Sequence, residues 1–145
     1  MMKFKTFYES IGGITTEQYY NELDNHLRQY GYRLGPNLFN PDIGYADPSY
    51  RGIYEGDDQI GHIDLWIDNG VLILEKIKSY AAYYGKDFGL LKKIYPFHKM
   101  QALKYSLIVK SELVSPKTVG YFDKIFSDEF DIKKVGNITT AIPKI

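Results

Sequence analysis

An alternating run and a second, largely apolar run meet at Asn69-Gly70, and this junction constrains the chain more than any other stretch. Before it, Ile63, Leu65 and Ile67 alternate with His62, Asp64, Trp66 and Asp68, the period-two pattern of a half-buried strand. Asn-Gly is the pair that best tolerates the positive φ angles of a type I′ turn, so residues 60–78 read as a β-hairpin. A two-residue loop sets Ile67 against Leu72 and Leu65 against Leu74 on the core side. The opposite face then pairs Trp66 with Ile73, Asp64 with Glu75, and His62 with Ile77. Two carboxylates directly across a strand pair repel; a three-residue loop with a bulge at Gly70 shifts the register and dissolves that pair.

The remaining segments arrange themselves around this hairpin. Met1 to Gly13 reads as a short helix or strand docked on the body. Thr15-x-x-Gln18 has the form of a capping box, and Tyr19, Leu23, His26, Leu27 and Tyr30 follow at helical spacing until Gly31, which predicts a helix near 16–30. His26, on the apolar edge, reads as a packed histidine. Tyr32 to Leu34 is a short strand. Gly35-Pro36-Asn37, Asn40-Pro41-Asp42 and Asp47-Pro48 then punctuate a long loop, the kind that often serves as a lid or binding loop. Tyr50 to Glu55 is the next strand, so the sheet begins as an antiparallel meander.

Beyond the hairpin, Asp87 is placed to cap a helix over 88–103, with Leu90, Leu91, Ile94 and Phe97 on its apolar stripe. Pro96 removes a donor and clashes one turn back, which predicts a kink or restart. Tyr105, Leu107 and Val109 alternate as a strand. Ser115-Pro116 opens a helix over 116–126 that buries Val119, Phe122, Ile125 and Phe126. Phe130 to Val135 and Ile138 to Ile142 flank Gly136-Asn137 as a closing hairpin. The fold class is α/β (α+β), one domain over 1–145 with a central, mostly antiparallel sheet and flanking helices.

Composition excludes several classes of function. Apolar runs fall far short of the roughly 18 residues that span a bilayer, and no basic-then-apolar leader opens the chain. There are no cysteines, so disulfides and thiolate metal sites are excluded, and a cytoplasmic location is expected. Formal net charge is zero, which argues against a chain devoted to polyanions. The charges are segregated, however: acids dominate from Asp42 to Glu75 and lysines from Lys76 to Lys117. That asymmetry suits one basic face for a phosphorylated ligand or, more simply, two solvated faces. Fourteen tyrosines are many for 145 residues, and Tyr80, Tyr83 and Tyr84 crowd one connection. They suit either a contact surface or the covering of a sheet edge.

The element order from Arg51 onward resembles the GNAT acetyltransferase core, and two segments carry the likeness. Tyr84-Gly85-Lys86-Asp87-Phe88-Gly89-Leu90-Leu91 resembles the family's R/Q-x-x-G-x-G/A loop, which opens a helix whose amides grip the acyl-CoA pyrophosphate. Val119-Gly120-Tyr121-Phe122-Asp123-Lys124-Ile125-Phe126 resembles the late family helix written I-x-L-Y-E-K-L-G-F. The resemblance implies acetyl-CoA as cofactor, held by Gly85, Lys86, Phe88 and Gly89. It implies Glu75 as general base, with His62 sharing its proton, and Tyr121 as the acid that protonates the departing thiolate.

Departures from the pattern pull the other way. Tyr84 stands where the family has arginine or glutamine, Asp87 replaces a glycine, and Phe122 occupies the place of the usual tyrosine. A carboxylate at a pyrophosphate cradle repels the ligand. The sequence is therefore read first as an acetyltransferase-like fold that binds a protein partner through its tyrosine-rich surface and the loop 35–50. A CoA-dependent N-acyltransferase acting on an amine is the alternative, and salt-sensitive nucleic-acid contact through the lysine-rich half is a third reading.

Overall fold

The computed structural model describes residues 14–36, 50–112 and 115–144. The docked segment expected over 1–13 and residues 37–49 of the expected binding loop lie outside them. The order is helix α1 (Thr16–Arg28), strands β1 (Tyr32–Gly35), β2 (Tyr50–Glu55), β3 (Asp58–Asp68) and β4 (Val71–Ser79), and a short helix α2 (Ala81–Tyr84). Helix α3 (Leu90–Tyr105), strand β5 (Ile108–Glu112), helix α4 (Pro116–Phe126), and strands β6 (Phe130–Val135) and β7 (Ile138–Pro143) complete it. The strands form one seven-stranded sheet in the order β1-β2-β3-β4-β5-β7-β6. Every neighbouring pair is antiparallel except β4 and β5, which run parallel. Among the described residues no helix is long and apolar enough to cross a membrane.

Local chemistry explains most of the element boundaries. The Thr15 hydroxyl accepts from the Gln18 amide and the Gln18 side chain accepts from the Thr15 amide, so two orphan donors of α1 are satisfied reciprocally. The helix buries Tyr19, Tyr20, Leu23 and Leu27; each such apolar side chain contributes about 1.5–3 kcal/mol. Helix α1 also meets β3 beyond its described pairing with β2. The Leu65 amide donates to the Tyr20 hydroxyl (2.9 Å) and the Ile67 amide to the Thr16 hydroxyl (3.0 Å), so this part of the β3 edge finds partners on the helix.

Helix α3 departs from expectation in three ways. It begins at Leu90, after Gly89 in the left-handed conformation, and Asp87 serves the preceding turn by accepting from the Gly89 amide at 2.9 Å. It also runs through Pro96 without a restart. Proline deprives the Lys92 carbonyl of its helical donor, and that residue is exposed to solvent; the next carbonyl, of Lys93, accepts from His26 Nε2 at 2.7 Å. His26 thus ties α1 to α3 and stacks on Phe97, as a packed histidine should. Finally, the helix continues to Tyr105 and ends on Ser106 at φ 54°, so the strand expected from Tyr105 starts only at Ile108.

The central hairpin has the two-residue loop, with Asn69 and Gly70 at φ 49° and 78°. Ile67 faces Leu72, Trp66 faces Ile73 and Leu65 faces Leu74, as the alternation requires. The ladder then shifts by one residue: Asp64 faces Lys76, Ile63 faces Ile77, and His62 faces Lys78. Glu75 is the extra residue of a β-bulge, so the expected Asp64–Glu75 and His62–Ile77 pairs do not form. The cause is hydrophobic registration. Ile63 and Leu65 are two apart, whereas Leu74 and Ile77 are three apart, and only a bulge lets both pairs meet.

Candidate functional site

Strand β4 pairs with β5 over a short span, Val71–Leu74 against Ile108–Ser111. The bulge follows at once, and β4 continues to Ser79 with β3 on one side only. At the parting point the Ser111 hydroxyl donates to the Leu74 carbonyl at 2.9 Å. Beyond it, among the described residues, no strand pairs the second edge of β4. The gap opens into a cavity of about 660 Å³ that reaches from this edge to the first turns of α3 and α4.

The walls of the cavity differ in charge. The sheet side carries Asp64, Glu75 and Glu112 against Lys76; the helix side carries Lys92, Lys117 and Lys124 against Asp87. Both helix starts contribute, with Gly89, Leu90, Leu91 and Lys92 from α3 and Ser115, Lys117 and Thr118 from α4. Neither N-cap makes a side-chain capping bond. First-turn amides without a side-chain cap from the N-cap residue, and the positive ends of two helix dipoles, therefore add to the lysines. Between the walls lies a buried floor of Ile63, Leu74, Tyr95, His98 and Ser111. Burial pushes the Tyr95 hydroxyl up to about 12 and holds the His98 imidazole down at about 3, with His26 adding to the latter.

The residues singled out from the sequence fall into two groups. Glu75, Tyr121 and Gly89 all line the cavity. Glu75 is exposed at the bulge, and Tyr121 stands on α4 with its ring 5.8 Å from that of Tyr95. Burial raises the pKa of the Tyr121 hydroxyl, so it stays protonated at neutral pH. Its neighbour Phe122 is fully buried in the core, edge-on to the same Tyr95 ring at 6.3 Å.

His62, Gly85, Lys86 and Phe88 do not line the cavity. His62 hydrogen-bonds the Tyr80 hydroxyl through Nδ1 at 2.6 Å and lies between the Tyr50 and Tyr80 rings, apart from Glu75. Burial, then Lys76 and Lys78, hold its pKa down at about 4. Gly85 caps α2 at φ 64°. Lys86 lies 3.6 Å from Glu55 and over the Phe88 ring, which is buried in the core.

Several cavity residues were missed. Leu91, Tyr95 and His98 follow one another at i, i+4 and i+7 and so share a face of α3. A tyrosine and a histidine on one helical stripe was the available signal. Ser115-Pro116 was read as a helix start but not as a second anion-attracting end. The tyrosine cluster mostly covers the sheet: Tyr84 donates to the Gln59 carbonyl at 3.0 Å, Tyr80 meets His62, and only Tyr83 is strongly exposed, at 78%. No group of three or more histidine and carboxylate side chains suited to a metal occurs among the described residues.

Neither a protein-family model nor a curated sequence matches the chain. Solved structures do. It is similar to an acetyltransferase from Thermus thermophilus, with TM-score 0.45 and 16% identity over 68% of this chain and 66% of that one. It is similar to the PaiA N-acetyltransferase from Thermoplasma acidophilum in complex with coenzyme A, with TM-score 0.42 and 20% identity over 66% and 60% of the two chains. Arabidopsis thaliana Naa50 in complex with the bisubstrate analogue CoA-Ac-MVNAL gives TM-score 0.39 and 14% identity over 86% and 91%. The match spans less than two thirds of each of the first two chains, 66% and 60%. The likeness is a weak and divergent one of fold, acetyltransferase-like in its element order and in its mostly antiparallel sheet flanked by helices.

Proposed function

We propose that the chain is an N-acyltransferase that takes its acyl group from an acyl-CoA and passes it to an amine. The observation that carries this reading is the divided charge of the cavity at the β4–β5 gap. An anionic donor is drawn to the helix wall and a protonated amine to the sheet wall, with the uncharged floor between them. The available residues fit a phosphate-bearing cofactor: the amides of Leu90, Leu91 and Lys92 with the side chains of Lys92, Lys117 and Lys124 would hold it. Asp87, the departure that weakened this reading in the sequence, already accepts from the Gly89 amide.

A bound acyl thioester supplies an activated acyl carbon. Glu75 would accept the proton that the attacking amine gives up. Tyr121, whose hydroxyl is protonated, would serve as the acid toward the departing thiolate. Acid and base thus come from opposite walls, which leaves room between them for the reacting atoms. The open edge of β4 offers backbone donors and acceptors to an extended ligand lying in the gap.

Binding of a protein partner is the second reading, and exposed Tyr83 is its main support among the described residues. Thermal melting with acetyl-CoA discriminates between the two. Ligand at about a hundredfold over its Kd stabilises by about 2.7 kcal/mol and raises Tm by several degrees. No shift at millimolar acetyl-CoA removes the acyltransferase reading.

A further inference from the structure

The cavity floor contains an imidazole that the mechanism above does not use. His98 Nδ1 lies 2.5 Å from the Tyr19 hydroxyl. That hydroxyl makes no other hydrogen bond among the described residues, and Nε2 of His98 has no partner among them. Tyr19 is fully buried, so its hydroxyl proton must go to the one acceptor beside it, because an unmade buried donor is costly. Nδ1 is therefore the acceptor, and the proton of the neutral ring sits on Nε2. Burial keeps the ring from taking a second proton near neutral pH. The ring is also fixed in place: it stacks on Tyr19 and lies against Tyr95 and Phe97.

Position then indicates what this donor meets. The lysines of the helix wall, Lys92, Lys117 and Lys124, are exposed, whereas Tyr95, His98, Leu74 and Ser111 are buried. A ligand held by its anionic part at the rim directs its uncharged end to the floor. We infer that His98 is a specificity-determining residue of this cavity, presenting Nε2–H to the acyl carbonyl oxygen of the bound molecule, with Tyr19 as the positioning residue that sets its tautomer. This rests on the acyltransferase reading. It predicts discrimination between an acylated cofactor and its free thiol, which lacks that oxygen.

Titration calorimetry with acetyl-CoA and with CoA tests the inference. The wild-type chain is expected to favour acetyl-CoA by about three- to tenfold, the worth of one hydrogen bond to a buried donor. His98→Leu abolishes the preference, while His98→Gln, which keeps an N–H donor, retains it. Nitrogen–proton NMR of the ligand-free protein places the imidazole proton on Nε2, and in Tyr19→Phe that assignment is lost. A proton on Nδ1 in the wild type overturns the inference whether or not the leucine variant folds. So does equal affinity for the two ligands in the wild type, or an unchanged preference in His98→Leu; in those cases the acyltransferase reading survives. If the wild type binds neither ligand, both fall together.

Discussion

The two ends of β4 obey different rules. From Val71 to Leu74 the strand has neighbours on both sides, and Leu72 is fully buried between them. From Glu75 to Ser79 it has one neighbouring strand among the described residues, its side chains are exposed or half-buried, and its second edge borders a cavity. The first end supplies stability and the second supplies a site, and one bulged residue separates them. A strand can therefore serve the core and a ligand at once if its register changes where its neighbour leaves.

The sharpest way to break this division is to alter Glu75. Glu75→Gln is expected to lower acyl transfer by about 10²- to 10⁴-fold, the usual worth of a general base. Its melting curve should stay within about 0.5 kcal/mol of the wild type, as for other exposed sites. A large loss of stability would mean that the bulge is structural and the division false. The converse substitution is Leu72→Ala at the other end. A fully buried leucine truncated to alanine costs about 2–5 kcal/mol, read from denaturant unfolding. A loss below about 1 kcal/mol would show that this end is not the anchor.

Acid sharpens the comparison, because both histidines with lowered pKa values lie away from the turn, at the floor of the cavity and opposite Lys78. Their folded values of about 3 and about 4 lie below the ordinary 6.5. The unfolded chain therefore binds more protons in that window. The stability contributed by keeping the rings neutral is complete above about pH 6.5 and drains away as pH falls toward 4 and 3. Hydrogen exchange at pH 5 should release amides of Lys76–Ser79 before those of Val71–Leu74. Simultaneous release would count against two separate ends. The smallest expected effect is at the turn itself. Gly70 sits at φ 78°, so Gly70→Ala costs about 1 kcal/mol in thermal melting and leaves acyl transfer unchanged.

Local chemistry made much of the fold legible in the sequence. The paired positive φ angles of Asn69-Gly70, the Thr15–Gln18 capping box and the Ser115-Pro116 helix start each require particular residues, so the residues announce the geometry. The bulge left a fainter trace. Leu72 and Leu74 keep the period of two, but Glu75-Lys76 places two polar residues before Ile77, and counting that interruption would have moved the register. The site was harder because it is assembled from segments far apart in the chain. Nothing local to Gly85-Lys86 tells that the chain turns away there, with Lys86 beside Glu55, while Lys117 and Lys124 arrive from a later helix. His98 looks like any core histidine until Tyr19, 79 residues away, is seen to hold one side of its ring.

The bulge also makes the opening a matter of chain length. Removing Glu75 would give Lys76 the place of the next ladder residue after Leu74 while Ile77 still reached Ile63, so every apolar pairing of the hairpin would persist. A protein with that single deletion is expected to fold with a continuous ribbon and without the exposed carboxylate that the bulge carries; Asp64 and Glu112 would still border the gap. The difference between a bare scaffold and one with its proposed base would then be one codon.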